Sequence, residues 1–144
     1  MGILDRVFGP SVSGLKRRRD TKGLIALLGH QNWRKAAAAA EALGELGDLQ
    51  ATEPLLGALR ARTGASAPAA AALGQLRDPR AVEALIEMLD APSDFLREAV
   101  ILSLGAIGDS RASPALIRLL EDPTKKAGKA EAALTLGVMG ELGQ

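Results

Sequence analysis

The sequence predicts an all-α fold, an α-α superhelix of about four helical hairpins forming one solenoid domain, and three observations carry that reading. One short phrase occurs four times: Leu43-Gly44-Glu45-Leu46-Gly47-Asp48, Leu73-Gly74-Gln75-Leu76-Arg77-Asp78, Leu104-Gly105-Ala106-Ile107-Gly108-Asp109 and Leu136-Gly137-Val138-Met139-Gly140-Glu141. Its first glycines lie 30, 31 and 32 residues apart, and self-similarity at a near-fixed period marks one supersecondary unit stacked on copies of itself. The chain is 47% hydrophobic but only 2% aromatic, with no Tyr, so its core must be made mainly of Leu and Ala. Between the phrases, apolar residues recur at helical spacing rather than in alternation.

Residues 1–19 form an N-terminal segment ahead of the repeats. Ile3, Leu4, Val7 and Phe8 are expected to act as a lid over the first repeat, and the basic run Lys16-Arg17-Arg18-Arg19 follows. The repeats then span about 20–48, 49–78, 79–109 and 110–141. Their first helices align without gaps over 20–29, 51–60, 81–90 and 112–121. They share the apolar pairs Leu24-Ile25, Leu55-Leu56, Leu85-Ile86 and Leu116-Ile117, with Leu28, Leu59, Leu89 and Leu120 one turn on.

The third copy shows the unit most clearly. Asp78 is an N-cap and Pro79 suits the first turn, where a missing N–H costs nothing. Asp90-Ala91-Pro92-Ser93 breaks the chain, and Ser93 or Asp94 caps a second helix. That helix carries Leu96, Ala99, Val100, Ser103, Leu104 and Ile107 on one stripe. Gly108 falls where a left-handed terminating residue is needed. In the first copy, His30 lies in the turn and Asn32 precedes a helix starting at Trp33, which is expected to cover the first repeat's end. In the second, Gly64 and Pro68 interrupt the pattern, so the helix should start near Ser66, capped by that serine, after a longer loop over residues 60–65.

Two sets of repeat positions are assigned structural roles. The first glycines, Gly44, Gly74, Gly105 and Gly137, cost about 1 kcal/mol each within a helix, which close approach of neighbouring second helices would offset. The carboxylates Asp48, Asp78 and Asp109 open the following units.

Composition excludes several chemistries. Without cysteine there are no disulfides, thiolate nucleophiles or cysteine-ligated zinc. A single histidine leaves no ligand set for a transition metal, and neither metal nor cofactor is expected. Glu41 and Glu45 are four apart on a helix and read as a solvated pair rather than an acid–base dyad. No apolar run reaches the roughly 18–20 residues that span a bilayer, and the first ten residues match neither a signal peptide nor the myristoylation pattern, so a cytoplasmic location is expected. Net charge is +1 and aromatics do not interleave with Lys16–Arg19, so nucleic acid is not strongly signalled.

The third copy, Leu96-Arg97-Glu98-Ala99 running to Leu104-Gly105-Ala106-Ile107-Gly108-Asp109 after Pro79-Arg80-Ala81-Val82, resembles the short HEAT-like repeats of the phycobilisome-lyase type. The resemblance covers residues 20–141. It implies a binding scaffold whose second helices line the concave face. The repeat's basic residue early in the second helix appears as Arg97 and Lys129, with Ala36 and Ser66 in its place in the first two copies. Arg34 and Lys35 lie nearby in copy one, where the helix is expected to start earlier. The paired His-Glu motifs of HEAT-type iron hydroxylases are missing, because Gln31 follows His30.

Counting from the first glycines isolates positions off the core stripe. Three residues before and one after, the pairs are Glu41/Glu45, Ala71/Gln75, Leu102/Ala106 and Leu134/Val138, so polarity falls towards the C-terminus. Phe95, Ile101, Leu102, Leu134 and Val138 are therefore expected to form an apolar patch for a protein partner, with the C-terminal repeat a candidate for homodimerisation. The leading expectation is a non-catalytic protein–protein interaction scaffold or adaptor. Two alternatives accompany it. A lyase-like or chaperone-like accessory to bilin or cofactor attachment is implied by the resemblance, and a weak polyanion binder, of nucleic acid or lipid, would act through Lys16, Arg17, Arg18 and Arg19.

Overall fold

The structure is a computed structural model that describes Ile3 and residues 9–140. Leu4, Val7 and Phe8 of the expected lid, and Glu141 of the last phrase, lie outside the described residues; Ile3 is exposed. The described residues contain nine α-helices and no strand. A short helix α1 (Val12–Arg17) precedes four hairpins: α2 (Thr21–Leu27) with α3 (Trp33–Leu46), α4 (Thr52–Arg60) with α5 (Ser66–Leu76), α6 (Val82–Met88) with α7 (Asp94–Ile107), and α8 (Ser113–Glu121) with α9 (Lys129–Val138). Part of the N-terminal segment thus belongs to the packed domain. Ser11 caps α1, which lies on α2 and α3 and buries Leu15.

Two layers result. Second helices pack directly on one another, α3 on α5, α5 on α7 and α7 on α9, whereas consecutive first helices meet chiefly through short 3-10 turns. The closer layer is the inner side of the curve, so the second helices line the concave face. The first glycines explain how that layer closes. A Cβ on Gly44 would stand 2.9 Å from Ala72 Cα, and one on Gly74 would stand 2.8 Å from Ser103 Cα. At Gly105 the nearest atom would be Thr135 Cγ2, 3.1 Å away, while a Cβ on Gly137 would meet nothing within 4 Å among the described residues.

The second glycine of the phrase is left-handed, with φ of 73° at Gly47, 72° at Gly108 and 82° at Gly140. Arg77 holds the same position in repeat two with φ 53°, a conformation that lacks the steric excuse of glycine.

The first three phrases each end in an aspartate that caps a 3-10 turn (Leu49–Ala51, Pro79–Ala81, Ser110–Ala112) at the junction with the preceding repeat. Asp48 accepts from Gln50 N–H at 2.9 Å and from the Thr21 hydroxyl at 3.0 Å. Asp78 accepts from Arg80 N–H and guanidinium and, at 2.8 Å, from the buried Thr52 hydroxyl. Val82 offers no hydroxyl at this register in repeat three. There Arg111 carries the contact instead, chelated by Asp109 and donating to the Pro79 carbonyl at 2.9 Å. Ser113 is the fourth in the series; its buried hydroxyl has no partner among the described residues, and the carboxylate in register is Glu141.

The basic position of the second helix has one job in three chemistries. Helices end with unpaired carbonyls, and Arg97 Nε donates to Leu89 O at 3.2 Å, Lys129 Nζ to Leu120 O at 3.1 Å and Ser66 Oγ to Ala58 O at 3.2 Å. Two sequence expectations need correcting here. Ser66 does begin α5, but its hydroxyl serves this carbonyl and the loop amide of Thr63 instead of capping its own helix. And α3 starts at the same register as α7, eleven residues before its first glycine, so Arg34 is not a shifted counterpart of Arg97. Repeat one meets that position with Ala36, packed with Ala37 and Ala65 in a small separate core.

Gly74→Ala should cost about 2 kcal/mol, because Ser103 backbone cannot yield without opening the α5–α7 seam. Gly137→Ala at the equivalent unobstructed position should stabilise by roughly 0.5–1 kcal/mol. Denaturant unfolding of both variants compares the two signs directly.

Stability should also fall in acid. The Arg80 guanidinium beside Asp78 holds its carboxyl at about 2 against an ordinary 3.8. A carboxyl depressed in the fold stabilises fully above its unfolded value and loses that contribution as pH falls from about 4 towards 2. Asp78→Asn should lower stability by about 2 kcal/mol at neutral pH and flatten this acid limb. A smaller dependence should remain from Asp122, also held at about 2, chiefly by the Thr124 hydroxyl. Unfolding midpoints measured across that pH range check both statements.

Candidate interaction site

The glycine register separates the buried side of each second helix from the free one. Glu41, Glu45, Ala71, Gln75, Leu102, Ala106, Leu134 and Val138, three before and one after each first glycine, are all exposed on the concave layer. Their chemistry changes from carboxylates at α3 to aliphatic side chains at α9. Phe95 is 73% exposed, Leu102 63%, Leu134 72% and Val138 84%. Four large apolar side chains are therefore in water on helices that otherwise bury such residues.

Ile101 does not belong to the patch. It is fully buried and reaches the turn before α9, where a Cβ on Gly128 would stand 2.7 Å from its Cδ1. It lies four residues before Gly105, in register with the buried Ala40 and Ala70, and so falls on the stacking side of the helix. One residue is about 100° of helical turn, enough to carry it from the face of Leu102 into the core.

A groove of about 650 Å³ runs between α5 and α7, with Ala71, Gln75, Phe95, Glu98, Leu102 and Ala106 among its walls. Its floor is the glycine seam. Ser103 Oγ donates to Ala70 O at 2.6 Å and also contacts Ala99 O at 2.9 Å, holding the two helices at that spacing. Phe95 at the groove's end is set by the first turn of α7. Ser93 caps that turn through Leu96 N–H, and Arg97, itself buried, donates to Leu89 O, Ala91 O and Asp94 from beneath it. Sequence reasoning noted Arg97 as a repeat feature; the buried clasp depends on carbonyls from the preceding turn, which only the folded chain brings to it.

Other predicted positions fall elsewhere. Within the basic run, Lys16 pairs with Glu45 and Arg19 donates to the Leu46 carbonyl at 3.5 Å, so these two help fasten α1 to the end of α3, while Arg17 and Arg18 are exposed. His30 Nδ1 accepts from Asn32 N–H at 3.0 Å, a turn contact. Trp33 does not cover the N-terminal end of the solenoid. It leans the other way, onto the loop of repeat two, where a Cβ on Gly64 would stand 2.5 Å from its Cε3. The reason is local: Gly64 presents bare backbone for the indole to cover. The longer loop expected in repeat two is not found, because residues 61–65 match the loops of repeats one and three in length and the extra residues extend α4, which has nine residues against seven in α2 and α6. Among the described residues no cluster of three metal-ligating side chains occurs, and no helix is long and apolar enough to cross a membrane.

Arg97→Ala should destabilise by about 3 kcal/mol, since it strips several carbonyls of their donor and leaves a void under the turn. Arg97→Lys should recover part of that loss. Thermal and denaturant unfolding of the pair provides the check.

Comparison with known families agrees with this architecture. The model described as HEAT repeats matches residues 64–137, more than half of the chain, and the model described as PBS lyase HEAT-like repeat matches residues 35–61. No curated protein matches the chain. HEAT repeats generally mediate protein interactions. With glycine-seamed helical hairpins throughout and both models matching, the chain belongs to the HEAT repeat proteins, with repeats of the PBS lyase HEAT-like type.

Proposed function

We propose that this protein is a non-catalytic interaction scaffold whose concave second-helix layer receives a protein partner on repeats three and four. The observation that carries the reading is the joint exposure of Phe95, Leu102, Leu134 and Val138 along one layer, beside a preformed groove. Exposed apolar side chains in such a row mark a surface that is covered in use. Burying each of them contributes on the order of 1.5–3 kcal/mol before the costs of association are met. The groove is already shaped in the free chain, because Ser103 and the glycine seam fix its floor and Arg97 fixes Phe95 at its end. Binding there needs little rearrangement of the helices, which favours affinity by limiting the ordering cost. The exposed Glu41 at the other end of the layer suits the polar side of the same partner, whereas Glu45 is already paired with Lys16.

The decisive experiment replaces Leu102 and Leu134 together by Glu. Both side chains are exposed, so the variant should keep its helicity and unfolding midpoint. It should lose the partners recovered by affinity capture from its native lysate, or the self-association seen by light scattering. Unchanged recovery and unchanged mass in a folded variant would remove the concave patch as the binding surface.

A further inference from the structure

The turns within repeats one and two carry charge of a different kind from the rest of the molecule. Residues 23–40 and 54–77 contain no Asp or Glu but include His30, Arg34, Lys35, Arg60, Arg62 and Arg77. Elsewhere Lys16, Arg80, Arg97, Arg111 and Lys125 form ion pairs, and exposed cations that form none among the described residues, such as Arg17, Arg18, Lys22, Arg118 and Lys126, lie in stretches that also carry Asp or Glu. Among the described residues Arg34, Lys35, Arg60 and Arg62 form none, and all but the half-buried Lys35 are exposed.

One aromatic ring adjoins Arg34 directly and, through Gly64, the loop that carries Arg62. Trp33, 47% exposed, packs on Gly64, and the Arg34 guanidinium lies 5.0 Å from its ring centroid. The loop bearing Arg62 is held in place on both sides. Thr63 N–H donates to Ser66 Oγ at 3.0 Å, Ala65 N–H to Thr63 Oγ1 at 3.2 Å, and Ala65 is buried against Ala36 and Ala37 of α3. Arg62 itself adopts a left-handed φ of 55°, which costs energy for a non-glycine residue and directs it from a fixed loop. Beyond Arg62 the loop borders a cleft of about 300 Å³ that ends on Phe95.

We propose that this turn edge, formed by Trp33, Arg34, Lys35, Arg60 and Arg62, binds an acidic peptide segment, with carboxylates on the cations and an apolar side chain against the indole. Charge complementarity selects the occupant, and the extent of the patch selects a peptide over nucleic acid. Net positive charge is confined to the first two repeats. The corresponding turns of repeats three and four set Asp90, Asp94, Glu121 and Asp122 against Lys125 and Lys126, and Lys125 is already held by Asp90 and Asp122, so they offer a polyanion no continuation of the edge. A strand-tracking surface also needs a series of aromatic platforms, and this edge has one tryptophan. The site shares none of its five residues with the concave patch, which it approaches only through the cleft ending on Phe95.

Trp33 is the only tryptophan of the chain, so its emission reports on this edge alone. The full chain is titrated with a short Glu-rich peptide lacking tryptophan, a Lys-rich peptide of equal length and an oligothymidylate. The acidic peptide should shift Trp33 emission saturably and bind more weakly as salt rises. Arg34→Gln with Arg62→Gln should weaken it roughly tenfold, at a few-fold per exposed ion pair. The Leu102→Glu/Leu134→Glu variant should respond like the parent, even if that variant disproves the concave-face reading. Absence of an emission change, equal binding by the Arg34/Arg62 variant, tighter binding of the oligothymidylate, or loss of the response in the folded Leu102/Leu134 variant would each overturn the proposal.

Discussion

Everything in this molecule hangs on how closely its second helices approach one another. Gly44 against Ala72, Gly74 against Ser103 and Gly105 against Thr135 leave no room for an added Cβ without displacing a neighbour. Small residues at each crossing bring the inner layer together, while the first helices stay further apart and meet through 3-10 turns. The difference between the layers is the source of curvature. It also fixes which side of each second helix faces out, and so which residues are available to a partner. The glycine penalty within the helix is offset by the dispersion contacts that close approach allows.

Around those seams, the repeats solve the same polar problems with different side chains. The last carbonyls of a first helix are satisfied by arginine, lysine or serine, according to the repeat. The carboxylate that opens the next unit is reached by a threonine hydroxyl in repeats one and two. At the third junction an arginine reaches back to the Pro79 carbonyl instead. A solenoid tolerates such variety because each junction touches only its neighbours, so one repeat can change its chemistry without consequences for the others. The acid sensitivity expected of Asp78 is the local expression of one such junction.

Two surfaces of contrasting chemistry emerge. The concave layer grades from carboxylates to bare aliphatic side chains, whereas the turn edge of repeats one and two carries cations without carboxylates, with Arg34 over Trp33. Both are held by buried contacts rather than left loose: Arg97 under Phe95, and Ala65 with Thr63 under Arg62. A scaffold with two such faces is suited to bringing two different segments together. Neither face requires the other to move.

Periodicity alone was enough to determine the class of fold, the hairpins and the left-handed position at Gly108, and to single out the eight off-stripe positions counted from the first glycines. These are properties of spacing, and spacing survives without knowledge of contacts. Tertiary structure decided the rest. Ile101 went to the core because the rotation of α7 is set by its packing on α5 and on the turn before α9, a matter of one residue's angle. Trp33 turned to the second repeat because Gly64 in its loop leaves bare backbone open to the indole. The cationic edge was invisible along the chain, since Arg34 and Arg62 are 28 residues apart and their helix and loop meet only when Ala36, Ala37 and Ala65 close on one another and Trp33 packs on Gly64. Sequence specified what each repeat is; contact between repeats decided where its free side chains meet.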